Sequence, residues 1–124
     1  MSDGLRVLVV DDVEACRSVL SNALGALSSV QIVGTASSGQ DALAKLDSLR
    51  PDMVLLDVEM PDMDGIELLQ ELRNYSHLGK TRIYALTGFS ENTTQARQVG
   101  FDGHFIKPVD IDALLQEIVE PRHG

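Results

Sequence analysis

Three aspartates stand directly after apolar stretches of the sequence. Asp11 and Asp12 follow Leu5–Val10, and Asp57 follows Met53–Leu56. A carboxylate at the end of a buried segment costs free energy unless a cation or hydrogen bonds compensate its charge. These positions raise the question of what compensates the three acids and what chemistry they perform.

Two further polar residues occur at the same kind of position. Thr87 follows Ile83–Leu86, and Lys107 follows His104–Ile106. One lysine beside three carboxylates leaves an excess of negative charge, which a divalent cation would neutralise. Because the available ligands are oxygen atoms, they suit Mg²⁺ or Mn²⁺ better than zinc.

The elements that must position these groups are short apolar runs that alternate with helical patterns. The runs are Leu5–Val10, Val30–Val33, Met53–Leu56, Ile83–Leu86 and His104–Ile106. Helical patterns follow them from Val13, Ser38, Asp64, residue 91 and Asp110. Such alternation predicts a parallel sheet with helices on both faces. The run Val30–Val33 is the most interrupted by polar residues, so we predict that it forms an edge strand.

In an open parallel sheet, functional groups gather at the C-terminal ends of the strands. Asp57 would attack phosphorus there and form an acyl phosphate, while the metal and Lys107 stabilise charge on the transferring oxygens. Thr87 would donate a hydrogen bond to a phosphoryl oxygen. In the alternative interpretation, Asp11 and Asp12 only cap the first helix and Asp57 caps a turn. The coincidence of several polar strand ends favours the shared site.

Composition restricts the classes of protein to consider. The chain has 124 residues, which predicts one domain over 1–124 with a core of about 5–119 and a tail at 120–124. The formal net charge of −9 disfavours binding to nucleic acid or to an anionic membrane. The single cysteine, Cys16, excludes an internal disulfide, and no signal peptide or membrane span is evident. We therefore expect a cytoplasmic protein.

Four sequence blocks carry a resemblance to a known family. They are "VLVVDD", "DMVLLDVEMPDMDG", "ALTG" and "HFIKP", in this order along the chain. Together they resemble the receiver domain of two-component response regulators over nearly the whole chain. The resemblance implies a doubly wound, flavodoxin-like α/β fold with five parallel strands in the order 2-1-3-4-5. It also implies that the Lys107–Pro108 peptide bond is cis.

The resemblance also implies a role for each residue of the site. Asp57 corresponds to the phosphoacceptor, Asp12 to a direct metal ligand, and Asp11 to a second acid that acts partly through water. The backbone carbonyl of Glu59 would complete the metal shell. Lys107 would pair with the phosphoryl group. From the sequence we further expect the Glu59 side chain to project near the site, where it could influence the access of water or of a partner.

The family's switching residues are only partly matched. Thr87 resembles the switch hydroxyl, but His104 stands where the family usually has Tyr or Phe. Phe105 is one residue away and should face the opposite side of its strand. We expect phosphorylation to move Thr87 and His104 and to alter the surface formed by residues 91–99, the fifth strand and the last helix.

The resemblance implies a signalling module that receives a phosphoryl group from a histidine kinase or a histidine phosphotransfer protein and acts on a downstream protein target. Its own chemistry would be limited to self-phosphotransfer and autodephosphorylation. The segment "GFDGHFIKPVD" resembles receivers attached to hybrid histidine kinases.

Two other functions compete with this one. A phosphohydrolase with an aspartyl nucleophile often has a second acid two residues later, a position that Glu59 occupies here. A nucleotide- or flavin-binding module would need a phosphate-binding loop after the first strand. The acidic residues Asp11, Asp12 and Glu14 would repel phosphate at that position.

Overall fold

The computed structural model describes residues 4–59, 65–74, 81–88 and 100–119. Its strands are β1 (Leu5–Val10), β2 (Val30–Ala36), β3 (Met53–Asp57), β4 (Arg82–Thr87) and β5 (Gly103–Ile106). Its helices are α1 (Glu14–Gly25), α2 (Gly39–Leu49), α3 (Gly65–Arg73) and α4 (Ile111–Val119). The predicted helix over 91–99 and the predicted helix start at Asp64 lie outside the described residues. Among the described helices, none combines the length and apolarity that a membrane span requires.

The five strands form one parallel sheet in the order β2-β1-β3-β4-β5, as predicted. The edge position of β2 is also confirmed. This strand continues to Ala36, three residues beyond the apolar run that predicted it, because it pairs with β1 as far as Val10. Apolar residues are not required along an edge strand that is partly exposed, so its polar end gives a weaker sequence signal.

Apolar side chains cover both faces of the sheet in two separate layers. The first layer includes side chains of α2 and α3: Ala42, Leu46, Leu68 and Leu69. The second includes side chains of α1 and α4: Leu20, Leu24 and Leu114. Within β3, successive residues alternate between the layers, with Val54 and Leu56 in the first and Met53 and Leu55 in the second. This burial on both faces explains the uninterrupted apolar run of the central strand.

Helix boundaries follow from local hydrogen bonds. The Ser38 hydroxyl accepts a bond of 3.1 Å from the Asp41 backbone N–H, which confirms the predicted start of α2. That helix ends at Leu49, and Arg50 caps it with a left-handed backbone (φ 49°) just before Pro51. At the start of α4, the Asp110 carboxylate accepts a bond of 3.0 Å from the Asp112 backbone N–H, again as predicted.

Candidate functional site

The centre of the site is Asp57, the last residue of β3. Its side chain is 3% exposed and lies at the C-terminal edge of the sheet. The Oδ1 atom accepts a hydrogen bond of 2.8 Å from the Glu59 backbone N–H. The Oδ2 atom lies 3.3 Å from the Lys107 ammonium nitrogen. Both carboxylate oxygens are thus held in place, one by the turn after β3 and the other by the end of β5.

Asp11 is fully buried where β1 ends and has partners on both oxygens. Its Oδ1 accepts a bond of 2.9 Å from the Val13 backbone N–H, just before α1. Its Oδ2 lies 2.7 Å from the Lys107 ammonium nitrogen, closer than Asp57 does. The N-cap of α1 is Val13, and no side chain caps this helix, so the helix-capping interpretation of Asp11 is wrong. One oxygen of Asp11 belongs to the turn before α1, and the other belongs to the shared site.

Asp12 is exposed beside these two residues. Carboxylate oxygens of Asp11, Asp12 and Asp57, one from each, lie within 4.8 Å of one another. Three carboxylates so close together repel each other, and Lys107 supplies one compensating positive charge. An excess of negative charge with oxygen donors pointing at one place fits a divalent cation such as Mg²⁺.

The ionisation of Asp57 reflects its surroundings. Burial raises the pKa of its carboxyl group from 3.8 to about 6, and the negative charge of Asp11 adds to this rise. The Glu59 backbone N–H and the charge of Lys107 oppose it. Burial by itself would lower the pKa of Lys107, but its hydrogen bond to Asp11 and the charges of Asp57 and Asp11 outweigh burial and raise it. Lys107 is therefore a permanent cation at neutral pH.

The raised pKa of Asp57 leads to a prediction about stability without metal. The folded protein binds this proton more tightly than the unfolded chain, so stability should fall as pH rises from about 4 to about 6. Asp57→Asn lacks the ionisation and should be more stable than the wild type by about 1–3 kcal/mol near pH 7. Near pH 4 the difference should vanish.

Urea unfolding in the presence of a chelator, at the two pH values, would measure this difference. The exposed α2 residue Asp47 provides the control, because Asp47→Asn should have little effect at either pH. An equal stabilisation by Asp57→Asn at both pH values would contradict the prediction.

Thr87 ends β4 and is fully buried. Its hydroxyl donates a hydrogen bond of 2.6 Å to Oε2 of Glu59. The Gly88 backbone N–H also faces this carboxylate, at 3.1 Å from Oε1 and 3.2 Å from Oε2. The Glu59 side chain therefore lies near the site, as expected, and bonds to the residue that the sequence indicates as the switch hydroxyl.

His104 and Phe105 have the opposite orientations predicted for neighbours in a strand. Phe105 is buried in the layer that includes α1 and α4, where its ring centroid lies 5.5 Å from that of Tyr84. His104 is partly exposed and pairs with Ala85 of β4. The Lys107–Pro108 peptide bond that follows β5 is cis, as the resemblance implied.

Two features of the site were not predicted. The sequence places Glu59 near Asp57 but gives no sign that its carboxylate binds Thr87 and Gly88. It also gives no sign that Lys107 lies closer to Asp11 than to Asp57. For the contacts of Glu59, the one indication in the sequence was its position in the turn that immediately follows Asp57.

Comparison with known proteins agrees with this arrangement. The family model for the response regulator receiver domain matches residues 7–119. A protein-glutamate methylesterase/protein-glutamine glutaminase from Nocardioides sp. is 36% identical over 125 residues, which cover 98% of this chain and 34% of that protein. This chain spans between a third and just over half of the curated relatives that it matches, from 33% to 57% of their length.

Solved structures show the same fold. The chemotaxis response regulator CheY4 of Vibrio cholerae has a TM-score of 0.81 and 33% identity, covering 94% of this chain and 97% of its own. A chain in the structure of the P1 domain of CheA3 in complex with CheY6 from R. sphaeroides has a TM-score of 0.79 and 28% identity, covering 95% of this chain and 98% of its own. The chain therefore belongs to the response regulator receiver domain family and is a phosphoacceptor signalling domain of the two-component type.

Proposed function

We propose that Asp57 is the residue that accepts the phosphoryl group. The observation that supports this most directly is the convergence of Asp11, Asp57 and Lys107 within hydrogen-bonding distances at one edge of the sheet. An oxygen of the Asp57 carboxylate attacks the phosphorus of a phosphohistidine. The P–O bond of an acyl phosphate forms, the P–N bond breaks, and the released imidazole nitrogen of the donor takes up a proton. Attack by water later releases inorganic phosphate and restores the carboxylate.

The acidic residues would hold a cation during this transfer. Asp11, Asp12, Asp57 and the backbone carbonyl of Glu59 form the ligand set that we assign to Mg²⁺ or Mn²⁺. When bound, the cation supplies positive charge that reduces repulsion among the carboxylates and stabilises charge on the phosphoryl oxygens. Lys107 has three N–H donors, so it can retain its bond to Asp11 and donate another to a phosphoryl oxygen.

We assign the conformational response to Thr87 and His104. A phosphoryl group on Asp57 offers the Thr87 hydroxyl an acceptor that is absent beforehand, and this bond shifts an existing equilibrium between two conformations. The movement of Thr87 opens space on one side of β5, and the His104 side chain moves into this space. The responding surface comprises β5, α4 and residues 91–99, of which 91–99 lie outside the described residues.

The partners follow from this chemistry. The structure of a CheA3 P1 domain in complex with CheY6 contains a chain with the fold of this protein. By analogy, we assign the donor to a histidine kinase or a histidine phosphotransfer protein, and the output to a downstream protein in the cytoplasm. Membership of the receiver family favours this role over that of a phosphohydrolase.

Incubation with acetyl phosphate and Mg²⁺ tests the proposed function. Intact-protein mass spectrometry should detect one added phosphoryl group, and hydroxylamine should remove it, because acyl phosphates react with this nucleophile. The parallel assay is release of phosphate from small phosphate esters. Rapid turnover of the esters without a hydroxylamine-sensitive adduct would favour the phosphohydrolase instead.

A further inference from the structure

The Glu59 carboxylate binds two hydrogen-bond donors at the end of β4. Its Oε2 atom accepts the Thr87 hydroxyl at 2.6 Å, and both of its oxygens lie within 3.2 Å of the Gly88 backbone nitrogen. These bonds are charge-assisted, since the acceptor is an anion, and such bonds are stronger than neutral ones. A single side chain therefore engages a hydroxyl and an amide at the end of β4, the strand that pairs with β3 as far as Asp57.

The same two donors suit a phosphoryl group. A phosphoryl group on Asp57 is an anion with several acceptor oxygens, and the Thr87 hydroxyl is the donor proposed for it. A carboxylate is a smaller anion with two acceptor oxygens in a plane, so it can accept hydrogen bonds from the same two donors. The Glu59 backbone N–H is itself bonded to Asp57 at 2.8 Å, which anchors this competing carboxylate next to the acceptor.

We propose that the Glu59 side chain is an internal competitor of the phosphoryl group, which holds Thr87 and Gly88 in the unphosphorylated arrangement until phosphorylation displaces it. This inference rests on the proposed function of Asp57 and Thr87. Displacement breaks the bonds to both donors and leaves the Glu59 carboxylate beside a second anion. Because Glu59 is exposed, water hydrates the released carboxylate and limits the cost.

Gly88 provides a second way to disturb the contact without removing the charge. A β-carbon at this position would lie 3.2 Å from Oε1 of Glu59, closer than an ordinary contact. Gly88→Ala should therefore push the carboxylate away from the Gly88 N–H while the backbone stays as it is. Its effect should have the same direction as Glu59→Ala and a smaller size.

Beryllofluoride with Mg²⁺ is a suitable probe, because it mimics a phosphoryl group on a carboxylate. NMR titration of the intact chain measures the affinity of the protein for beryllofluoride and follows the amide chemical shift of Gly88 in the same experiment. We expect Glu59→Ala to bind the mimic about tenfold more tightly than the wild type. Glu59→Gln should lie between them, because its amide oxygen is a neutral acceptor. The control Glu71→Ala removes an exposed acid of α3 and should leave the affinity unchanged.

Three further results are expected, and a purely structural role for Glu59 would not reproduce all of them. Without the mimic, the Gly88 amide proton should move upfield in Glu59→Ala, because it has lost a carboxylate acceptor. With the mimic, the Gly88 amide should reach nearly the same position in both proteins. In a Thr87→Val background, Glu59→Ala should improve affinity by less than about threefold, since the stronger of the two shared donors is gone.

The outcomes separate this inference from the proposed function. If the wild type and Glu59→Ala bind the mimic with equal affinity and the Gly88 amide is the same in both free proteins, the competitor role of Glu59 is refuted and the acceptor role of Asp57 stands. If neither the wild type nor any Glu59 variant binds the mimic, the proposed function fails, and the role of Glu59 fails with it.

Discussion

Asp57→Asn is expected to reduce phosphoryl incorporation from acetyl phosphate by more than about 10³-fold, to the background level. An asparagine side chain is neutral and is a poor nucleophile towards phosphorus. Its amide oxygen can still accept the Glu59 backbone N–H that Oδ1 of Asp57 accepts at 2.8 Å. The substitution therefore removes the chemistry with little change in local geometry. Intact-protein mass spectrometry over time gives the rate.

Asp47→Asn is the matched control for this experiment, since it makes the same chemical change at an exposed position of α2. It should be phosphorylated at the wild-type rate. A label of comparable extent in Asp57→Asn that resists base and hydroxylamine would show that another residue accepts the phosphoryl group.

Lys107→Ala is expected to have the second largest effect. Its ammonium nitrogen lies 2.7 Å from Asp11, which is fully buried, and 3.3 Å from Asp57. Removing this cation takes away a positive donor for the transferring oxygens, which should slow phosphorylation about 10²-fold. It also leaves Asp11 buried without its charged partner, which should lower the free energy of unfolding by about 3–5 kcal/mol in metal-free buffer near pH 7.

Two comparisons separate the chemical effect from the loss of stability. Lys107→Arg keeps the positive charge and should retain most of the stability, although the larger guanidinium is a different donor. Saturating Mg²⁺ should restore part of the stability of Lys107→Ala, because a cation then faces the same carboxylates, but it should not restore the phosphorylation rate. Wild-type stability and wild-type rate in Lys107→Ala would contradict the role assigned to this residue.

The positions of the site residues could be predicted because strand ends are strongly marked in this sequence. The run before Asp57, Met53–Leu56, has no polar residue, as expected for a central strand buried on both faces. Arg6 interrupts the run before Asp11, and the run before Lys107 is a short edge strand that begins with Gly103 and His104. Parallel pairing then brings their C-terminal ends to one edge of the sheet, whatever the details of packing. The apolar run Val30–Val33 covers only part of β2, because an edge strand does not need apolar residues along its whole length.

The bonds made by individual side chains could not be predicted in the same way. Glu59 has several rotatable bonds, and the contact of its carboxylate with Thr87 and Gly88 depends on the backbone of the turn after β3. The shorter contact of Lys107 with Asp11 depends on a difference of 0.6 Å between two distances, 2.7 and 3.3 Å. Sequence spacing fixes which strand carries each group but does not resolve differences of this size.

Borohydride reduction of the phosphorylated protein is the most direct test of Asp57 as acceptor. Borohydride reduces an aspartyl phosphate to homoserine, which is stable and can be located by tandem mass spectrometry. The wild type, treated with acetyl phosphate and Mg²⁺ and then reduced, should contain homoserine at position 57 and should retain aspartate at positions 11 and 12. Homoserine at position 11 or 12 with unmodified Asp57, or a phosphoryl group that survives reduction on another residue, would contradict the proposed function.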